Sequence, residues 1–396
     1  MQRSVLSLVI FVLLFSAVLG GMHYYLWFRL VRTPELAQPL RRVLTWVFVA
    51  LATSVPVGLM LMQRAPRPIG GVIAAVVYGW VGLTIVLFFL LVTMEFIRLG
   101  AHAVSALGGA PFNQERRTFL GRMLAGAAGV LGVGLGAAGL ASALGEVAVR
   151  PVQVRLRKLP GSLSGFRIVQ LTDIHVGPTI GRAWLEGIVE RVNALKPDLV
   201  AITGDLVDGK VEDLRDEVAP LAKLQAKYGV FFVTGNHEYY SGADEWIAEL
   251  GRLGVRVLRN ERVSIGEGDE SFDLVGVDDW TAKRFGNGHG PDLERALAGR
   301  DPSREVVLLA HQPKQVVQAA AMGVGLQLSG HTHGGQIFPW GYFVRLDQPH
   351  LEGLERRGET QIYVSRGTGY WGPPMRVGAP PEISLVELAR EDTGTA

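Results

Sequence analysis

The chain has 396 residues and no cysteine, which excludes disulfides, thiolate nucleophiles and cysteine-ligated zinc. A formal net charge of +2 is too small to draw nucleic acid to the surface, so no nucleic-acid partner is expected. The length calls for more than one structural unit, and the composition splits it: about the first 145 residues are long apolar runs, and the remainder has the mixed character of a soluble domain.

In chain order, four apolar segments come first, near 5–26, 43–62, 72–97 and 120–144. Each reaches the roughly 20 residues that a membrane-spanning helix needs. Arg3 precedes the first, but three further spans follow, so it reads as a signal anchor and not a cleaved leader. Arg29, Arg32, Arg41 and Arg42 follow the first span, and Arg98, Arg116, Arg117 and Arg122 follow the third. The opposite side carries Arg3, Arg64 and Arg67, with Arg150, Arg155, Arg157 and Lys158 at the domain entry. The basic excess places the first two loops inside, which leaves the large domain outside the cytoplasm of a multi-pass cell-membrane protein. Arg116-Arg117-Thr118-Phe119-Leu120 resembles a twin-arginine export signal, which would make that export machinery a partner. The alternative is a basic anchor ahead of a helix whose Gly132 and Gly136 serve helix packing. His23 and His102 read as interfacial, Glu95 as a snorkelling acid, and no intramembrane charge pair is expected.

After Arg150-Pro151 the pattern alternates strand and helix. Strands are expected at 153–159, 166–172, 198–203, 230–234, 272–277, 305–310, 326–329, 342–346, 361–365 and 383–388. Helices are expected at 180–195, 211–227, 243–253, 292–297 and 313–321. The domain limits follow as 1–148 for the membrane region, 149–390 for the catalytic domain and 391–396 for a tail. Such an order implies layered sheets with outer helices.

Five polar patches sit at the carboxyl ends of apolar strand-like runs: Asp173-Ile174-His175, Gly204-Asp205-Leu206-Val207-Asp208, Gly235-Asn236-His237-Glu238, His311, and Gly330-His331-Thr332-His333. Ligands bind at that end of α/β sheets, so the repetition points to one shared site. Asp173 and His175 are two apart, as are His331 and His333, which the strand period would aim the same way. Carboxylates with imidazoles suit divalent Mn, Fe or Zn. The donors are too many for one tetrahedral ion, and a pair of ions about 3.5–4 Å apart, sharing a carboxylate, would use them all.

The order D-x-H, G-D-x-x-D, G-N-H-E, H, G-H-T-H resembles the calcineurin-like metallophosphoesterases, over roughly residues 153–388. The segment from Tyr363 through Arg376 to Ile383 resembles a membrane-associated, often twin-arginine-exported branch of them. The resemblance implies a four-layer α/β/β/α sandwich, here preceded by about four transmembrane helices. It implies that Asp173, His175 and His333 hold one ion, that Asn236, His311 and His331 hold the second, and that Asp205 bridges them. His237 would face the phosphoryl group as general acid or transition-state stabiliser, Asp208 would orient a neighbour, and Glu238 would support the ligands from behind. A phosphoester substrate follows, and the tether favours a lipid-linked or envelope-derived one. The competing reading is a non-catalytic metal-binding scaffold. Outside the motifs, His289 and His350 read as surface-loop histidines, Gly334-Gly335 as a turn, and Arg366 and Arg376 either as phosphate clamps or as ordinary ion-pair partners.

Overall fold

The computed structural model describes residues 5–107 and 114–391. The chain forms two units, Met1–Leu144 with Gly372–Val377, and Gly145–Trp371 with Gly378–Ala396. In the first unit all four apolar segments are helical: α1 (Val5–Trp27), α2 (Gln38–Arg64), α3 (Arg67–Leu107) and α4 (Gln114–Leu144). The stretches Gln38–Met62, Arg67–Gly100 and Thr118–Leu144 are long and apolar enough to cross a membrane. Several side chains of α1, and those of His102, Arg116 and Arg117, lie outside the described residues.

Leu26, Leu87, Leu91 and Ala128 form the small core of this helical unit. Polar groups within this apolar bundle find partners, against the expectation of no charge pair. Glu95 does not snorkel alone. It pairs with Arg29 at 2.5 Å and stands 3.8 Å from Arg98. His23 is 3% exposed, with Nδ1 2.8 Å from the Leu19 carbonyl oxygen and Nε2 accepting from Trp80 Nε1–H at 2.8 Å.

The second unit runs β1 (Ala148–Leu156), β2 (Phe166–Leu171), α5 (Arg182–Ala194), β3 (Leu199–Ile202), α6 (Val211–Val218), β4 (Val230–Phe232), α7 (Asn236–Ser241), α8 (Ala243–Arg252), β5 (Arg256–Val257), β6 (Glu261–Glu267) and β7 (Glu270–Gly276). It continues through α9 (Leu293–Leu297), β8 (Val306–Leu309), α10 (Val316–Ala321), β9 (Leu326–Ser329), α11 (Gly341–Val344), β10 (Gly353–Arg357), β11 (Thr360–Val364) and β12 (Glu382–Arg390). One sheet has the order β1-β12-β2-β3-β4-β5, the other β10-β11-β9-β8-β7-β6.

The strand period sorts side chains into three apolar layers. Ile168, Leu199, Ala201 and Phe231 of the first sheet meet Phe272, Leu274, Val307 and Leu328 of the second. On the outer face of the first sheet, Val169, Val200 and Ile202 pack against Leu185, Ile188, Leu214, Trp246 and Leu250 of α5, α6 and α8. On the outer face of the second, Val275, Val306 and Leu308 pack against Leu293, Leu297 and Ala319 of α9 and α10. Helix, sheet, sheet, helix is the four-layer sandwich expected from the sequence.

The differences are local. The helix expected over 211–227 stops at Val218, where Pro220 withholds an amide and a 3-10 turn, Ala219–Lys223, follows. The strand expected over 342–346 is the short helix α11, with Tyr342, Phe343 and Leu346 exposed. Strand propensity measures fit to a pleated, half-buried surface, and no strand lies beside this segment to supply one. The strands β5, β6 and β10 escape an apolar-run reading because they are edge strands and carry charge, as in Glu261-Arg262 and Glu355-Arg356-Arg357.

Candidate metal centre

The parallel strands β2, β3, β4, β8 and β9 end on the same side of the sandwich, and the five patches follow those ends. The first sheet delivers Asp173, His175, Asp205, Asn236 and His237, and the second delivers His311, His331 and His333. The two-residue spacing works differently from the sequence expectation. Asp173, His175, His331 and His333 lie beyond their strands in left-handed backbone, at φ 51°, 53°, 72° and 51°, and Asp205 joins them at φ 50°. Strand alternation therefore does not aim them; repeated tight turns do. Non-glycine residues pay roughly 1–2 kcal/mol for that conformation, and such strain clusters at functional sites. Gly330 is required by close approach, because a Cβ there would overlap the Asp173 carboxylate and the Thr172 hydroxyl.

Three groups with ligand atoms mutually within 4.8 Å result: the clusters Asp173–His175–His333 and Asp205–His311–His331, and a third, His175–Asp208–His237, that shares His175 with the first. His333 Nε2 is 3.3 Å from Asp173 Oδ1 and 3.1 Å from His175 Nε2. His311 Nε2 is 3.1 Å from Asp205 Oδ2 and 3.2 Å from His331 Nδ1. His175 Nε2 and His237 Nε2 each stand 4.0 Å from Asp205 Oδ2, so this one oxygen faces both clusters.

The hydrogen bonds assign the tautomers. His175 Nδ1 lies 3.0 Å from Asp208 Oδ1, and His311 Nδ1 lies 2.8 Å from the Thr203 carbonyl oxygen. Both Nδ1 atoms therefore donate, which leaves their Nε2 lone pairs aimed at other acceptors. Lone pairs so opposed repel unless a proton or a cation lies between them. Asn236 supplies an independent sign: it is 8% exposed, and its Oδ1 has no hydrogen-bond partner among the described residues. A buried carbonyl oxygen without a hydrogen bond, next in sequence to His237, has the chemistry to accept a divalent ion. The residues present thus fit a divalent metal pair.

Electrostatics agree with that fit. Burial opposes ionisation of Asp205, but His311, His237 and His175 outweigh it and hold its carboxyl well below the usual range. Burial raises Asp173. Burial, and then His311, push His331 down to about 3. Burial would also lower His311, but Asp205 and Asp173 raise it well above its ordinary value. A proton there balances the two carboxylates, and binding of a cation would release it.

His237 lies outside the Asp173 and Asp205 clusters but groups with His175 and Asp208. Its Nδ1 is 2.6 Å from Asp208 Oδ1, and its backbone N–H donates to Asp205 Oδ1 at 2.8 Å. Burial works to lower its pKa, yet Asp205 and Asp208 raise it to about 9. Its ring meets Trp371 and Tyr240 edge-on, at 5.6 and 5.4 Å between centroids. Asp208 thus orients both His175 and His237. Glu238 sits behind them, accepting from the backbone N–H groups of Asp205, Leu206 and Gly235 at 3.0, 2.8 and 2.6 Å.

Asp279, absent from the sequence reading, is a buried acid just beyond β7 that accepts from Gln312 Nε2 at 3.0 Å and raises His311. The rule that found the other patches applies to it, since Val277-Asp278-Asp279 follows an apolar run. Two other expectations change. His289 is not a surface residue: its side chain is 5% exposed, 2.7 Å from Arg259 Nη2 and against the Tyr239 ring. His350 is buried and pairs with Glu355. Of the two alternatives for the arginines, Arg366 takes the ion pair, with Glu382 at 2.7 Å, and Arg376 belongs to the helical unit.

A family profile described as calcineurin-like phosphoesterase matches residues 166–335, which hold all five patches. The chain is 36% identical over 406 residues to a transmembrane protein with metallophosphoesterase domain from Danio rerio, covering 98% of this chain and 90% of that one. It is 45% identical over 266 residues to a protein so described from Bos taurus, covering 64% of this chain and 60% of the bovine one. An uncharacterized metallophosphoesterase of Campylobacter jejuni is 32% identical over 385 residues, covering 96% and 98%.

Proposed function

The chain belongs to the calcineurin-like metallophosphoesterases, and from that premise we propose that it is a membrane-anchored hydrolase of phosphate mono- or diesters or pyrophosphates that works with two divalent ions. The observation that carries the reading is the pair of ligand clusters with Asp205 Oδ2 between them. Asp173, His175 and His333 would hold one ion, Asn236, His311 and His331 the other, and Asp205 both. When bound, such ions neutralise phosphoryl oxygens and bring the pKa of solvent toward neutrality.

The chain's own residues supply the rest. Asp208 and the Thr203 carbonyl lock the tautomers of His175 and His311, so that ligand nitrogens face inward without rotation. Glu238 holds the backbone of Asp205 and Gly235 and thereby fixes the bridging carboxylate against Asn236. His237, protonated with help from Asp205 and Asp208, donates its Nε2 proton to the departing ester oxygen. A chelator is expected to abolish hydrolysis of bis(p-nitrophenyl) phosphate by the purified full chain, and added Mn is expected to restore it. Bound metal without turnover on any mono-, di- or pyrophosphate ester would favour the scaffold reading instead.

The arginine excess in the loops after the first and third apolar segments supports a catalytic domain outside the cytoplasm. Protease added to intact cells should then cleave that domain; protection until the membrane is opened would reverse the assignment.

A further inference from the structure

The chain passes between the two units at three places, 144/145, 371/372 and 377/378. All three lie at the metal-site edge of the catalytic unit. Ala148 pairs with Glu382 at the start of the parallel strands β1 and β12. Because β12 is antiparallel to β2, with Ser384 opposite Gln170, that start lies beside the end of β2 from which Asp173 and His175 emerge. Trp371, the last residue before the second crossing, is the ring against His237. Gly378, the first after the third, bridges to Ile337, just beyond the His333 turn. Between these crossings Gly372–Val377 is seated in the helical unit: Met375 fills the space a side chain on Gly139 would need, and the Arg376 N–H donates to the Gly139 carbonyl at 2.9 Å.

An exposed apolar segment starts at the same edge. Phe338, Trp340, Tyr342, Phe343 and Leu346 are 63, 51, 67, 49 and 85% exposed. Phe338 and Tyr342 stack edge-on at 6.0 Å, and Trp340 and Phe343 lie 5.3 Å apart, so the rings form one shelf. Arg345 stands exposed among them. The shelf is tied to the site through Gln336, whose amide donates to the Trp371 carbonyl at 2.9 Å and accepts its N–H at 3.0 Å. A contiguous shelf of large apolar side chains calls for a partner surface. Trp and Tyr rings with an arginine among them suit the headgroup layer of a bilayer, anionic lipid above all. Only residues 145–147 separate α4 from β1, so this edge is where the chain enters the catalytic unit from its apolar helices.

We propose that residues 338–346 are a bilayer-contact surface that seats the metal centre over phosphoester headgroups of membrane lipids, a substrate class that rests on the hydrolase reading above. The lack of cysteine allows single spin labels in the full chain. Leu346→Cys and Asp269→Cys, the latter in the exposed β6–β7 turn at the opposite edge, are labelled and reconstituted in phosphatidylcholine vesicles containing phosphatidylglycerol and phosphatidic acid. The label at 346 should collide preferentially with oxygen, which concentrates in lipid, and the label at 269 with an aqueous nickel chelate. Equal aqueous access at both overturns the proposal, and so does shielding of 346 from both, which would mean a protein partner or a second copy. In the same vesicles, replacing Trp340 and Phe343 together by Ser should lower the ratio of lipid-phosphoester to bis(p-nitrophenyl) phosphate turnover roughly tenfold, the scale of removing large apolar side chains from lipid. An unchanged ratio overturns it. A lipid-favouring label at 346 on a chain that hydrolyses neither substrate supports the contact and refutes the hydrolase reading, so the two failures are told apart.

Discussion

Asp205→Ala is expected to reduce metal-dependent phosphodiester hydrolysis by on the order of 10³-fold or more, ~4 kcal/mol of barrier. Asp205 Oδ2 lies 3.1 Å from His311 Nε2 and 4.0 Å from both His175 and His237, so one carboxylate faces both clusters, as the proposed bridging role requires. Its removal takes a ligand from each ion and the negative charge that raises His237 and His311. It also frees the backbone N–H of His237 from its 2.8 Å bond. Metal content should fall together with rate. Activity within tenfold of wild type, measured with saturating Mn, would remove Asp205 from the bridging role.

His237→Ala should behave differently. Proton transfer by a positioned side chain contributes roughly 10²–10⁴-fold, and a loss of that size is expected in kcat with metal content retained. The separation is possible because Ala keeps the backbone N–H that bonds Asp205, while only the ring and its 2.6 Å contact with Asp208 disappear. The pH profile adds a second readout. Although burial opposes it, Asp205 and Asp208 hold the His237 pKa at about 9, and adjacent cations lower that value, so the rate should fall as pH rises through a limb at or below pH 9. In the proposed role the acid form is the active one, so the limb should vanish in the variant. Full activity, or an unchanged alkaline limb, would show that His237 donates no proton. Asp208→Asn, which keeps an acceptor oxygen for the ring but removes the charge that raises His237, should fall between the variant and wild type.

Much of this arrangement could be read from residue order because apolar strands and the polar residues at their ends are local features. FRIVQLT followed by Asp-Ile-His marks both a strand and its ligands without knowledge of any neighbour. The left-handed turns at Asp173, His175, His331 and His333 were not legible, since a strand-period reading assigns the same spacing to alternation. Edge strands such as β10 were missed because their burial comes from one side only, and the pattern Gly-Leu-Glu-Arg-Arg carries no apolar run. The shelf at 338–346 was misread as containing a strand because aromatic, β-prone residues look alike whether they face a core or stand exposed. The pairings Glu95–Arg29 and His23–Trp80 join helices far apart in sequence, which no window along one helix contains. Asp279 was missed for a simpler reason: no motif of the resembled family included it.

The central claim is a pair of ions held by the Asp173 and Asp205 clusters. The most direct test is the metal stoichiometry of the purified full chain, by elemental analysis after Mn loading and removal of weakly held ion. The account predicts two ions per chain, and loss of both when Asp205 is replaced. No bound metal in a folded chain, or a single ion that persists in Asp205→Ala, would contradict it.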